Sequence, residues 1–306
     1  MKNIIEFYYN LSPENIKQKN NNYYFNTNNN NYIFKEYNIN IALIEDIAKL
    51  NIYLNNYLNI NKIIFNKYNN PLTKINSSYY ILILQSNKIN IDLATISKFS
   101  SISLPKINTL ERNNWQILWS NMIDYYETQI GENSKKYPLI RESFDYFIGL
   151  AENAISYLTY TKKETPKTIY DNKVLSHNNL YHSLEDPLNI IIDHKSRDLA
   201  EYIKISFFNN NKNIFQELDN YFYYQKYSDY GIRVLFSRIL YPSFYFKIYN
   251  DIIQGIIKEK ELNKIISRIN DYEVYLYNIY LYLRKHYDIP TIEWLKKRGP
   301  NPHLQP

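Results

Sequence analysis

Apolar positions change their rhythm along this chain. Over the first ninety residues they gather in short aromatic and β-branched runs, and from about residue 110 they recur at helical spacing. Residues 22–25 and 32–37 are two such runs, separated by the Asn-rich stretch 26–31. Asparagine tolerates the left-handed backbone of tight turns, so this pattern predicts a hairpin. Residues 41–58 carry Ile44, Ile47, Ala48 and Leu50 at helical spacing. Asn70-Pro71 then marks a turn before 79–84, an expected buried strand. The first part thus reads as short strands with one helix.

Helices are predicted over 110–130, with Trp115, Leu118, Met122 and Tyr126 along one stripe, and over 138–160, opened by Pro138 at its first turn. Four more are predicted over 195–208, 214–224, 230–254 (interrupted near Pro242) and 261–286, while 188–193 is the one strand-like run of this half. The expectation is an α+β protein with a small β-rich lobe over 1–88 and a large helical lobe over 89–306.

Composition refines this picture only a little. Hydrophobic residues reach 45%, enough for a globular core, but Tyr (34) and Phe (14) supply an unusual part of it. Asn, Ile, Lys and Tyr all have A/T-rich codons, so mutational bias explains their abundance and the tyrosines do not signal base stacking. The charge of +6 is mild, and the basic cluster Lys296-Lys297-Arg298 before Gly299-Pro300 reads as a helix end whose cations offset the dipole. No nucleic-acid partner is expected from it. The absence of cysteine excludes disulfides and thiolate chemistry. The N-terminus turns acidic at Glu6 before any signal core, and no apolar run approaches the roughly 20 residues of a membrane span. A cytoplasmic protein without a membrane partner is the expectation.

The stretch 176–201 stands out. A polar loop, His177-Asn178-Asn179-Leu180, is followed by an apolar run ending in Asp193 and then by Arg197-Asp198-Leu199-Ala200-Glu201. Such an outline suits phosphoryl transfer, where a loop group orients the acceptor hydroxyl and a strand-end carboxylate holds magnesium. In order and residue type it resembles the aminoglycoside-phosphotransferase and choline-kinase branch of the kinase-like proteins. The spore-coat kinase-like group, of the CotS and YutH type, is more similar still. The phrases 193–202, 238–242 with Tyr245-Phe246, and Ile292-Glu293-Trp294-Leu295 carry that resemblance.

The resemblance implies a two-lobed kinase-like fold with ATP and magnesium as cofactors, and coat proteins as partners in a spore-coat setting. It implies that His177 braces the catalytic loop, that Asp193 is the metal ligand and that Asp198 anchors the loop. Asn179 stands where the family has its catalytic Asp, and an amide can position a hydroxyl but cannot accept its proton. Leu184 stands where a magnesium-binding Asn is expected. Lys35, at the end of an aromatic strand, takes the place of the nucleotide-pairing lysine, with Glu45 on the next helix as its ionic partner. Lysines are so common here that a solvated strand end is the stronger explanation of Lys35. All five glycines lie beyond residue 130, so no glycine-rich loop covers phosphates in the first lobe.

Elsewhere the plainer explanations prevail. His182 and His194 lack metal-ligand spacing and read as partly buried structural histidines. Glu142, Asp145 and Glu152, with Arg141 and Asn153, fit a cleft-facing and a solvated helix face equally well, while Trp115 with Trp119 fits core packing. No Gly-x-Ser-x-Gly elbow supports a serine nucleophile. Three functions follow: a pseudokinase that still binds nucleotide, an active small-molecule kinase using Asn179, or a structural protein with no nucleotide site.

Overall fold

Asparagine closes the turns that build the first sheet. The computed structural model describes residues 1–27, 29–38, 40–107 and 109–297, so Arg298 and Gly299-Pro300 lie outside the described residues. Nine non-glycine residues have positive φ, and every one is Asn, whereas Gly255 is the only glycine to do so among the described residues. Their short polar side chain makes the left-handed region accessible where other L-residues would pay about 1–2 kcal/mol. The Asn-richness attributed to codon bias thus also performs the turn duty that glycine performs elsewhere.

The chain forms two compact units, Met1–Arg112 with Val174–Asp193 and Asn113–Lys173 with the chain from His194. The first contains helix α1 (Lys2–Tyr9), strands β1 (Glu14–Lys19), β2 (Asn22–Thr27) and β3 (Asn30–Glu36), helix α2 (Ile44–Leu54), strands β4 (Lys62–Ile64), β5 (Thr73–Ile75) and β6 (Ser78–Leu84), and helix α3 (Leu93–Ser100). The sheet runs β1-β2-β3-β6-β4 with β5 also on β6, all antiparallel. The expected hairpin is β2–β3. Helix α1 is a second helix beyond the one expected, and β1, polar and nearly fully exposed, has no alternation to announce it. As an edge strand with two lysines it is protected from pairing with other chains.

Alternation along β3 separates two cores. Phe34 and Tyr32 pack with Phe25, Leu82 and Ile5 of α1 on one face. Lys35 therefore falls on the other face, opposite Ile81 of β6. On that face Ile81 and Ile83 pack with Ile44, Ile47 and Leu50 of α2 and with Ile190 and Ile192 of a second, two-stranded sheet. That sheet pairs β7 (Lys173–His177) with β8 (Ile190–His194), so the expected strand 188–193 has a partner that sequence reading missed. Asn51 fastens α2 to β4, donating from Nδ2 to the Asn61 carbonyl (2.7 Å) and accepting from the Ile63 N–H (2.8 Å).

Asn20 and Asn21, with φ of 48° and 59°, make the whole β1–β2 connection. Two successive left-handed residues define the turn that matches the twist of a hairpin. Asn20→Ala is expected to cost about 1 kcal/mol in urea denaturation, while Asn20→Gly should be close to neutral. A neutral alanine variant would mean that the turn relaxes into another form.

The second unit is helical: α4 (Trp115–Asn133), α5 (Pro138–Glu164), α6 (Ser196–Phe208), α7 (Ile214–Tyr224), α8 (Asp229–Leu240), α9 (Ser243–Ile253), α10 (Asn263–Ile266), α11 (Ile269–Arg284) and α12 (Glu293–Lys296). Helix α4 starts at 115 and not 110, because Asn114 is left-handed (φ 56°) and Leu110 and Arg112 bond to Ile192 of β8. Pro242 separates α8 from α9 as expected. Aromatic stacking fills the core, with Phe147 on Tyr245 at 3.9 Å, Trp119 on Tyr241 at 4.4 Å and Tyr126 on Phe246 at 4.5 Å. The buried Tyr126 hydroxyl accepts from the Asn250 amide (2.9 Å). Tyrosine supplies part of this core, with Tyr126, Tyr241 and Tyr245 all buried. No helix among the described residues is long and apolar enough to cross a membrane.

Candidate functional site

The connection between β7 and β8 is the segment that sequence reading singled out. Asn189, buried at 6% exposure, holds it closed. Its Oδ1 accepts from the Asn179 N–H (3.0 Å), and its Nδ2 donates to the carbonyls of Asn179 (3.0 Å) and Ser183 (3.1 Å). The Asn179 side-chain oxygen accepts from the Tyr181 N–H (3.0 Å), a local turn that engages the group that the resemblance sets at the catalytic position. His177 is buried, with its ring edge-on to Phe99 of α3 at 4.7 Å, consistent with a packing role. Leu184 is buried in the apolar interior.

The next two residues fasten this connection to the sheet-bearing part of the same unit. Glu185 accepts from the Asn61 N–H through its carbonyl (3.0 Å) and from the Ile89 N–H through Oε2 (3.2 Å). Asp186 caps the turn that follows, accepting from the Leu188 N–H (3.0 Å), and its other oxygen lies 3.5 Å from the Lys35 ammonium. Lys35 is thus ion-paired to the connection, where sequence reading had Glu45 as its partner. Helix α2 turns Ile44, Ile47, Ala48 and Leu50 inward, which leaves Glu45 exposed on the outer side. Asp193 is buried near the end of β8, and alternation sets it on the opposite side of the strand from Ile190 and Ile192. The structure therefore brings Lys35 to Asp186 of the β7–β8 connection.

Asp198 belongs to the second unit, buried in the first turn of α6, where a carboxylate favours the helix dipole. Three residues apart on the same helix, Glu201 and Lys204 pair at 2.7 Å. Lys204, 1% exposed, also donates to the carbonyls of Arg238 (3.1 Å) and Tyr241 (3.2 Å) and to the Ser243 hydroxyl (2.6 Å). Burial pushes its ammonium down against the attraction of Glu201. The phrases 193–202 and 238–242 are thereby tied together by a lysine just beyond the first of them. Arg197 and Arg238 both lie over the Trp115 ring, at 4.5 and 4.6 Å.

The other two histidines weighed in the sequence differ. His194 contacts the Ser196 hydroxyl through Nδ1 (2.8 Å), a structural role, whereas His182 is exposed and its Nδ1 accepts from the Ser183 N–H (2.9 Å). No group of three His, Cys, Asp or Glu side chains among the described residues is arranged to hold a metal.

Comparison with known proteins places the fold first. An aminoglycoside phosphotransferase from Alicyclobacillus acidocaldarius superposes with a TM-score of 0.60 at 10% identity, covering 89% of this chain and 93% of that one. Spectinomycin phosphotransferase, in complex with ADP and spectinomycin, superposes with a TM-score of 0.57 at 14% identity, covering 94% of both. The fold is kinase-like, a β-sheet region followed by a helical one. The family model described as "Spore coat putative kinase YutH" matches residues 2–279, and the chain belongs to this family of spore coat kinase-like proteins. The endospore coat-associated protein YutH of Bacillus subtilis (strain 168) is 28% identical over 210 residues, which span 60% of this chain and 61% of that protein.

Magnesium, the metal that the fold family implies, finds a thin donor set. Asp193 is one carboxylate. The position where an amide ligand is expected holds the buried carbon side chain of Leu184, and Asn189 is committed to closing the loop on three bonds. Magnesium is held through one or two carboxylates with substrate phosphates, so Asp193 would supply the carboxylate, while the amide ligand that the resemblance implies is missing from the set.

Proposed function

We propose that this chain is a pseudokinase: it keeps the kinase-like fold, with lobes over 1–88 and 89–306, and has lost or nearly lost phosphoryl transfer. The observation that carries this reading is Asn179, an amide at the catalytic position whose oxygen accepts from the Tyr181 N–H. A carboxamide takes no proton from an acceptor hydroxyl. The two-residue Asn20-Asn21 turn supports the same reading, because it leaves no glycine-rich loop to approach phosphates. A scaffolding role toward other coat proteins, in a spore-coat setting, follows from the name of the relative in Bacillus subtilis.

Purified protein with ATP and magnesium is expected to release no ADP above the protein-free blank. Asn179→Asp should leave turnover at that blank, since Leu184 and the short turn remain. Turnover by the unmodified chain that Asn179→Asp raises more than about tenfold would sink this reading in favour of an impaired kinase, general-base catalysis being worth 10² or more.

A further inference from the structure

We infer that Asp186 is a built-in counter-ion that occupies the anion position of Lys35, so that a phosphate-bearing ligand reaches this lysine only by displacing it. The inference rests on the pseudokinase reading and gives that site its regulation. Lys35 is the residue that sequence reading assigned to a nucleotide phosphate, on the sheet face that packs toward β8. Its ammonium lies 3.5 Å from one Asp186 oxygen, with side-chain exposures of 31% for Lys35 and 13% for Asp186.

The carboxylate is held in place, which sets it apart from an incidental surface pair. Its second oxygen caps the Leu188 N–H, while the adjacent Glu185 is bonded to both Asn61 and Ile89. Asp186 therefore arrives at Lys35 already oriented, with little freedom left to lose on forming the pair. An external phosphate must give up its own freedom and compete with a carboxylate at high effective concentration. The same pair joins β3 to the loop after β7.

The test uses the full-length protein and ATP in EDTA, with inorganic tripolyphosphate as a probe lacking the base, read by calorimetric titration and by the shift in melting temperature. Asp186→Asn keeps an oxygen to cap Leu188 but removes the charge. It is expected to bind both probes at least about threefold more tightly than the unmodified chain, in line with the worth of a partly exposed ion pair. Adding Lys35→Met to Asp186→Asn should abolish the gain. Asp186→Ser, whose hydroxyl can still cap the turn, is the second release variant should the first fold poorly. Glu185→Gln loosens the neighbouring bond without freeing Lys35 and should give no gain.

Equal affinity of the unmodified and released chains, no binding by any variant, or a gain that survives Lys35→Met or appears in Glu185→Gln would each overturn the inference. Turnover of ATP by the unmodified chain would sink the pseudokinase reading and is scored separately from these affinities.

Discussion

Lys204→Ala is expected to lower the free energy of unfolding by about 3–5 kcal/mol in urea denaturation, the cost of breaking a buried ion pair from one side. The lysine satisfies two backbone carbonyls, a hydroxyl and the Glu201 carboxylate at once, and of these the Glu201 carboxylate and the Tyr241 carbonyl would keep a bond from Ser243. A loss below about 1 kcal/mol would show that the pocket around Lys204 refills or admits water. The pair Glu201→Gln with Lys204→Met should lose less than Lys204→Ala, because no charge is then left uncompensated. A pH arm separates charge from packing. Burial works to raise the Glu201 carboxyl, but Lys204, Arg197 and the Ser243 hydroxyl together outweigh it and hold the group below its ordinary 4.5. A carboxyl with a folded-state pKa below its unfolded value contributes stability that is fully present above the unfolded value and lost as pH falls through the folded one. The melting temperature of the unmodified protein should therefore drop below about pH 4.5 more steeply than that of the double variant.

Asn189→Asp should be the other large loss, about 2–4 kcal/mol. The substitution is nearly isosteric, yet it replaces an amide that donates to the Asn179 and Ser183 carbonyls with oxygens that would face them unprotonated. Denaturation should report the loss, and limited proteolysis should report new cleavage within residues 178–189. A magnesium ligand would behave in the opposite way, because a carboxylate binds the ion better than an amide does. Unchanged stability with a new magnesium-dependent rise in melting temperature would therefore reassign Asn189 to metal binding.

Legibility varied along the chain for identifiable reasons. The β2–β3 hairpin could be read because aromatic runs flank a polar turn, and the α8–α9 break because proline cannot continue a helix. Strand β1 could not, since its six residues are almost all polar and are held by pairing alone. Strand β7 was hidden by its brevity and by the polar Ser176 and His177, both buried. In the candidate site, the substitutions at Asn179 and Leu184 were plain from residue type. The partner of Lys35 was not, because the β7–β8 connection lies about 150 positions away and only the fold brings Asp186 to the strand. Nor did the phrases that carried the family resemblance point to chemistry. Glu201 and the 238–242 segment are joined by Lys204, which belongs to none of them.

The left-handed asparagines have a consequence for the chain before it folds. Glycine at such a turn is unstrained when folded but gives up the most backbone freedom on folding. Asparagine carries a Cβ, so each of these nine positions starts from a narrower set of unfolded conformations. A little native strain is exchanged for a smaller entropic loss, and part of what orders the turns is already present in the denatured ensemble.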